Sequence, residues 1–231
     1  MTSPETPAAM TLRLIGDAVS PKGHDLCLEA GDILVAVNGQ AFLGDERALY
    51  TLFAGRGGHP LALSFWRVDQ MITVLATSPR LGTWESCAPV ATAGLTRLNP
   101  TVLTNWEIMR DQTGSYDLHP LTGSILALVA APVWLIQMRL WLPGAALIAA
   151  IMVTAVVSPL MCVAAYLGAG VHMWHSGPRY FQKDRMARGL RTHMVLAAPS
   201  ERAAHAAYRK HAPNAQFLFA SSAATATQGA A

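Results

Sequence analysis

From Leu118 to Pro178 the only Asp, Glu, Lys or Arg is Arg139. It separates two uncharged runs, Leu118–Met138 and Leu140–Pro178. A helix needs roughly 20 predominantly apolar residues to cross the hydrocarbon core of a bilayer, and each run is long enough for that. The stretch therefore predicts two transmembrane helices, about Leu118–Met138 and Ala145–Val171, broken by Arg139, Pro143 and Gly144. Pro132 and Pro159 would then sit inside the spans, where neighbouring groups can satisfy the freed carbonyls. Trp134, Trp141 and Trp174 lie near the expected ends, as an aromatic belt would place them. Ala145/Ala149 and Ala164/Gly168 offer small residues at helical spacing for close packing in the hairpin or with a partner transmembrane helix.

Only 13% of the chain is charged, against about 25% in an average soluble domain. The formal net charge of +3 is unevenly placed. Residues 1–120 carry eight Lys/Arg and twelve Asp/Glu, whereas residues 179–231 carry eight and two. Arg179, Lys183, Arg185, Arg188 and Arg191 follow the second apolar run and read as a membrane-surface cluster facing anionic headgroups. Met186, Leu190 and Met194 recur every four positions among them and predict a basic amphipathic helix. By the positive-inside rule that end is cytoplasmic. Two spans return the N-terminus to the same side, and its lack of a basic start and apolar core predicts no cleaved leader. The expected location is thus the inner membrane, with both termini in the cytoplasm and lipid rather than nucleic acid beside the basic cluster.

Ahead of this stretch, the sequence reads as a small α+β domain. Ile33–Val37 is an apolar run suited to a buried strand. Asn38-Gly39 supplies the positive φ angles of a tight turn. Asp45 caps a helix over Glu46–Ala54, with Leu49, Leu52 and Phe53 on one face. Leu61–Arg67 and Met71–Ala76 read as strands joined at Val68-Asp69-Gln70. Further on, Asn99-Pro100 predicts a helix start, with Val102, Trp106 and Met109 on one apolar face. Ser200 predicts the cap of another helix, Glu201–His211.

Ser20-Pro21, followed by Leu28-x-Ala30-Gly31-Asp32-Ile33-Leu34-x-Ala36-Val37-Asn38-Gly39-Gln40, resembles a PDZ domain of the bacterial type over residues 10–78. The resemblance implies a partly open β-barrel with one main helix, and recognition of a peptide or protein partner by β-augmentation. Carried onto this chain, the receiving edge is Thr11, Leu12, Arg13, Leu14 and Ile15, with Asp45, Leu49 and Leu52 on the groove-facing helix. Pro7-Ala8-Ala9-Met10 stands where that family has a glycine-containing carboxylate loop, and proline has no N–H to offer.

The expected organisation is a disordered stretch (1–9), a PDZ-like domain (10–80), a connector with an interfacial helix (81–117), an all-α membrane hairpin (118–178) and a basic tail (179–231). The tail would end in a low-complexity segment, 221–231. Cys27, Cys87 and Cys162 are scattered and show neither a disulfide framework nor CxxC spacing. Neither His-Glu-x-x-His nor Gly-x-Ser-x-Gly occurs, and His172 and His175 have no third ligand nearby in sequence. No catalytic residue, metal site or cofactor is expected. The expected function is a non-enzymatic adaptor that brings a peptide or partner to the inner face of a membrane complex. The alternatives are an accessory or assembly subunit acting through its spans, and a regulator of a membrane protease on another chain.

Overall fold

The structure, a computed structural model, describes residues 10–90 and 94–219. The expected disordered segments at 1–9 and 221–231 lie outside the described residues. The strands, in chain order, are β1 (Thr11–Val19), β2 (Ile33–Val37), β3 (Gln40–Ala41), β4 (Leu61–Arg67), β5 (Gln70–Ala76) and β6 (Gly82–Cys87), followed by β7 (Thr104–Arg110), β8 (Ser115–Pro120), β9 (Arg191–Ala198) and β10 (Gln216–Phe217). The helices are α1 (Pro21–Asp25), α2 (Glu46–Ala54), α3 (Ile125–Val129), α4 (Ala131–Gln137), α5 (Trp141–Val157), α6 (Pro159–Ala187) and α7 (Glu201–His211). A 3₁₀ turn covers Pro100–Val102. One sheet has the order β5-β4-β2-β1-β6 with β3 on β2, and the other runs β10-β8-β7-β9. The fold is therefore mixed α/β with two sheets. The chain divides into two compact units, Met1–Ile108 with Thr192–Ala215 and Met109–Arg191 with Gln216–Ala231.

In the first unit, Leu12, Leu14, Leu34, Leu63, Phe65 and Val74 are buried on the sheet, and α2 adds Leu49 and Phe53. Each such side chain contributes about 1.5–3 kcal/mol on leaving water. The N-terminus of α2 is held by Asp45, whose carboxylate accepts the Ala48 N–H at 2.9 Å. Asp32 of the Gly-Asp pair does more than turn the chain. It is buried, and Arg67 of β4 grips it with two bonds, 2.7 and 2.6 Å long. Beyond the first sheet, the Asn105 side-chain amide pairs with both backbone groups of Leu75 on edge strand β5, at 2.7 and 2.8 Å.

Two sequence expectations fail in this unit. Strand β1 is not an open edge: β6 lies along it antiparallel, with Thr11 opposite Cys87, Arg13 opposite Glu85 and Leu14 opposite Trp84. The segment read as a connector thus completes the sheet. The helix expected after Asn99 is one 3₁₀ turn, and Trp106 and Met109 belong to strand β7.

In the second unit the expected all-α hairpin of two membrane spans is corrected. No helix among the described residues is long and apolar enough to cross a membrane. The prolines divide the stretch, and α6, though 29 residues long, takes in His172, His175, Arg179, Lys183, Asp184 and Arg185. Leu118–Pro120 belongs to β8, and the rest of the first expected span is divided into the short helices α3 and α4. Ala130 breaks that helix, and Pro132 sits in the first turn of α4. The second expected span breaks at Ser158, which is extended (φ −163°, ψ 130°), and Pro159 starts α6. A residue before proline is pushed out of the helical region, and proline itself suits a first turn. A two-span inner-membrane placement with both termini inside is therefore not supported.

Close helix packing in this unit depends on two glycines of α6. A Cβ at Gly170 would stand 2.2 Å from the Leu128 carbonyl oxygen of α3, and one at Gly177 would stand 2.6 Å from the Trp134 ring of α4. Arg185, also on α6, is buried and donates to Asp117 of β8 at 2.6 Å and to the Met138 carbonyl at 3.2 Å, while it also pairs with Asp184. Its guanidinium lies 4.4 Å from the centre of the Phe181 ring.

A candidate recognition groove

The residues expected to receive a peptide strand are occupied by the protein itself. Thr11, Leu12 and Leu14 are buried, and the Thr11 hydroxyl donates to the Leu34 carbonyl. Arg13 pairs with Glu85 of β6 at 2.8 Å. Ile15 remains exposed. On α2, Leu49 is fully buried and closed to a ligand, whereas Asp45 caps the helix and is exposed. Leu52, unlike Leu49, is 43% exposed.

Leu52 belongs to a trough on the outer side of α2. Ala48, Thr51 and Leu52 form one wall, and the chain from Val37 to Leu43 forms the other. The trough encloses ≈ 1000 Å³ counted to its open mouth. Its floor includes the buried Val37, Phe42 and Leu61, and Leu43 stands 60% exposed on its rim. An adjoining recess of ≈ 850 Å³ shares Asn38, Gln40 and Arg56 with the trough and adds Arg97, Leu98 and Asn99. Both arginines are exposed, and neither has an ion-pair partner among the described residues.

The turn at Asn38-Gly39 is what brings the two arginines to one recess. Asn38 takes φ +52° and Gly39 φ +75°. The Asn38 side chain accepts the Ala62 N–H at 2.9 Å, and its backbone carbonyl accepts the Leu98 N–H at 2.9 Å. A Cβ on Gly39 would fall 1.7 Å from the Thr96 carbonyl oxygen, so only glycine lets the 96–98 segment cross the turn. Arg56 and Arg97 are far apart in sequence, and this crossing could not be read from it. Leu43 precedes α2 and Leu52 lies in its last turn, and only the fold shows that both are exposed.

The five basic residues expected at a membrane surface part company. Arg179, Lys183, Arg188 and Arg191 are not buried, whereas Arg185 is enclosed in its ion pair with Asp117. The amphipathic helix expected there ends at Ala187; Leu190 lies just beyond it and Met194 belongs to β9, both buried. His172 meets the Tyr180 hydroxyl at 3.0 Å, and His175 lies against the Trp174 ring. Among the described residues no three His, Cys, Asp or Glu side chains gather as a metal site. Burial raises the Cys27 thiol to about 11.

Residues 99–212 match a family described as "Protein of unknown function (DUF2628)". The PDZ resemblance is corrected by this comparison. No PDZ family matches residues 10–78, and the family match lies further along the chain. No curated protein matches the chain. The matched segment starts at Asn99, the cap of the 3₁₀ turn, and ends at Ala212, which closes α7. The trough beside α2 precedes it, while Arg97 and Leu98 stand at its threshold.

Proposed function

We propose that this chain is a non-enzymatic recognition protein whose trough beside α2 takes a peptide segment carrying an apolar side chain next to an acidic group. The observation that carries this reading is a pair of arginines, Arg56 and Arg97, without ion-pair partners among the described residues, at the recess that adjoins an apolar trough. An apolar side chain would cover Leu43 and Leu52 and displace water from them. A carboxylate beside it would meet two guanidinium groups, whose forked donors match its geometry. The chemistry is the same whether the carboxylate is a chain terminus or an Asp or Glu side chain.

The test is a peptide array probed with the full chain, containing apolar–acidic pairs as free C-termini, as amidated C-termini and as internal sequences. Peptides with an acidic group beside Leu, Ile or Phe are expected to bind. Arg56→Glu with Arg97→Glu is expected to weaken them at least tenfold, which corresponds to about 1.4 kcal/mol. Leu52→Asp is expected to weaken them to a similar degree. Amidated peptides separate terminal from side-chain carboxylates. Selected peptides without an acidic residue, or equal binding by the double variant, would remove the proposal.

A further inference from the structure

Helices α5 and α6 leave a large apolar surface uncovered. On α5, Val153 is 65% and Val156 89% exposed, and on α6, Leu160 is 79% and Leu167 60% exposed. Trp141, at the start of α5, is 64% exposed, and no charged residue occurs from Leu140 to Pro178. Together these helices leave on the order of 1,000 Å² of apolar side chain facing outward, whereas the largest patch on a typical monomer is about 300–600 Å². A stable protein interface takes about 800 Å² from each partner. The uncovered area is thus the size of one side of such an interface.

We infer that this face is covered by the same face of a second copy of the chain. A two-fold dimer places one patch against itself, so each residue meets its own surroundings in reverse and one sequence satisfies both sides. The two helices are joined by Ser158 alone and pack on each other, with the Cys162 thiol 3.9 Å from the Ile151 carbonyl. Two such pairs make a four-helix packing with the apolar residues inside. The surface also permits close approach. Ala145, Ala149, Ala164 and Gly168 are all exposed, and a Cβ at Gly168 would meet nothing within 4 Å. This inference does not depend on the trough beside α2.

Sedimentation equilibrium of the full chain tests it, with circular dichroism to show that each variant keeps its fold. The wild type is expected to be a dimer. Val153→Lys and Leu167→Lys, both at largely exposed positions, are expected to weaken association at least tenfold. Gly168→Trp, which adds bulk but no charge, is expected to weaken it as well. A monomer at all concentrations, a polydisperse aggregate, or a dimer indifferent to all three substitutions overturns the proposal. A monomeric wild type that floats with phosphatidylcholine–phosphatidylglycerol vesicles would overturn it too, by assigning the face to lipid.

Discussion

His119, on β8, is buried against the Phe181 ring, with 4.1 Å between ring centres. Burial, assisted by the neighbouring Arg185 charge, lowers its pKa from 6.5 to about 3. The folded protein therefore keeps this ring neutral at pH values where the unfolded chain would protonate it. Its contribution to stability is full above about pH 6.5 and is lost progressively as pH falls toward 3. At pH 5, about 1.5 pH units below the unfolded value, the loss from this group is roughly 2 kcal/mol relative to pH 7. Urea midpoints at the two pH values should show that difference, and His119→Phe should lose that part of it. An identical pH dependence in wild type and variant would show that the ring is not held neutral. The buried Arg185–Asp117 pair beside it fits the same requirement. A buried charge is tolerated when it is paired, and removing its partner costs about 3–5 kcal/mol.

Among the elements, capping and turn chemistry are the most readable features. Asp45 and Ser200 mark the starts of α2 and α7, and both helices have the bounds expected from their caps. The β2 run and its Asn38-Gly39 turn are equally plain. Two other expectations fail for physical reasons. A spacing of four puts Met186, Leu190 and Met194 on one helical face, but residues an even number apart also share one face of a strand. The chain uses both, ending α6 at Ala187 and placing Met194 in β9. In the uncharged stretch, apolar content suggests continuous helices, whereas Pro132 and Pro159 act as helix starts. Two glycines of α6 give a prediction at this scale. Gly170→Ala should destabilise, because its methyl would meet the Leu128 carbonyl oxygen at 2.2 Å. Gly168→Ala, which meets nothing within 4 Å in its own chain, should stabilise the helix by roughly 0.5–1 kcal/mol when both variants are compared at a dilution where the chain is monomeric. Thermal unfolding of the two variants should move in opposite directions. A shift of the same sign in both would mean that helix propensity, and not the contact with α3, sets the effect at residue 170.

At the scale of the whole molecule, a dimer formed through α5 and α6 couples assembly to stability. The midpoint of thermal unfolding should then rise with protein concentration, as mass action requires when only the folded form associates. A midpoint constant over a hundredfold range of concentration would oppose that coupling. Long-range arrangement is the least legible part of the sequence. Nothing in the local pattern of Gly82–Cys87 says that it will pair with the first strand, or that Thr96 will cross Gly39. The composition of the first unit has a further consequence, for the order in which the protein can be made. Residues 1–108 are finished only by 192–215, and the whole of 109–191 belongs to the other unit. At about 5–20 residues per second, a ribosome needs roughly 4–17 s to supply that insert. During that interval the Trp106 indole still lacks the Ala198 carbonyl, and Glu107 still lacks the Thr192 hydroxyl, that they hold in the finished fold. The first sheet, β1 to β6, can therefore close early, while β7 must wait for β9, a strand that leaves the ribosome only after α6.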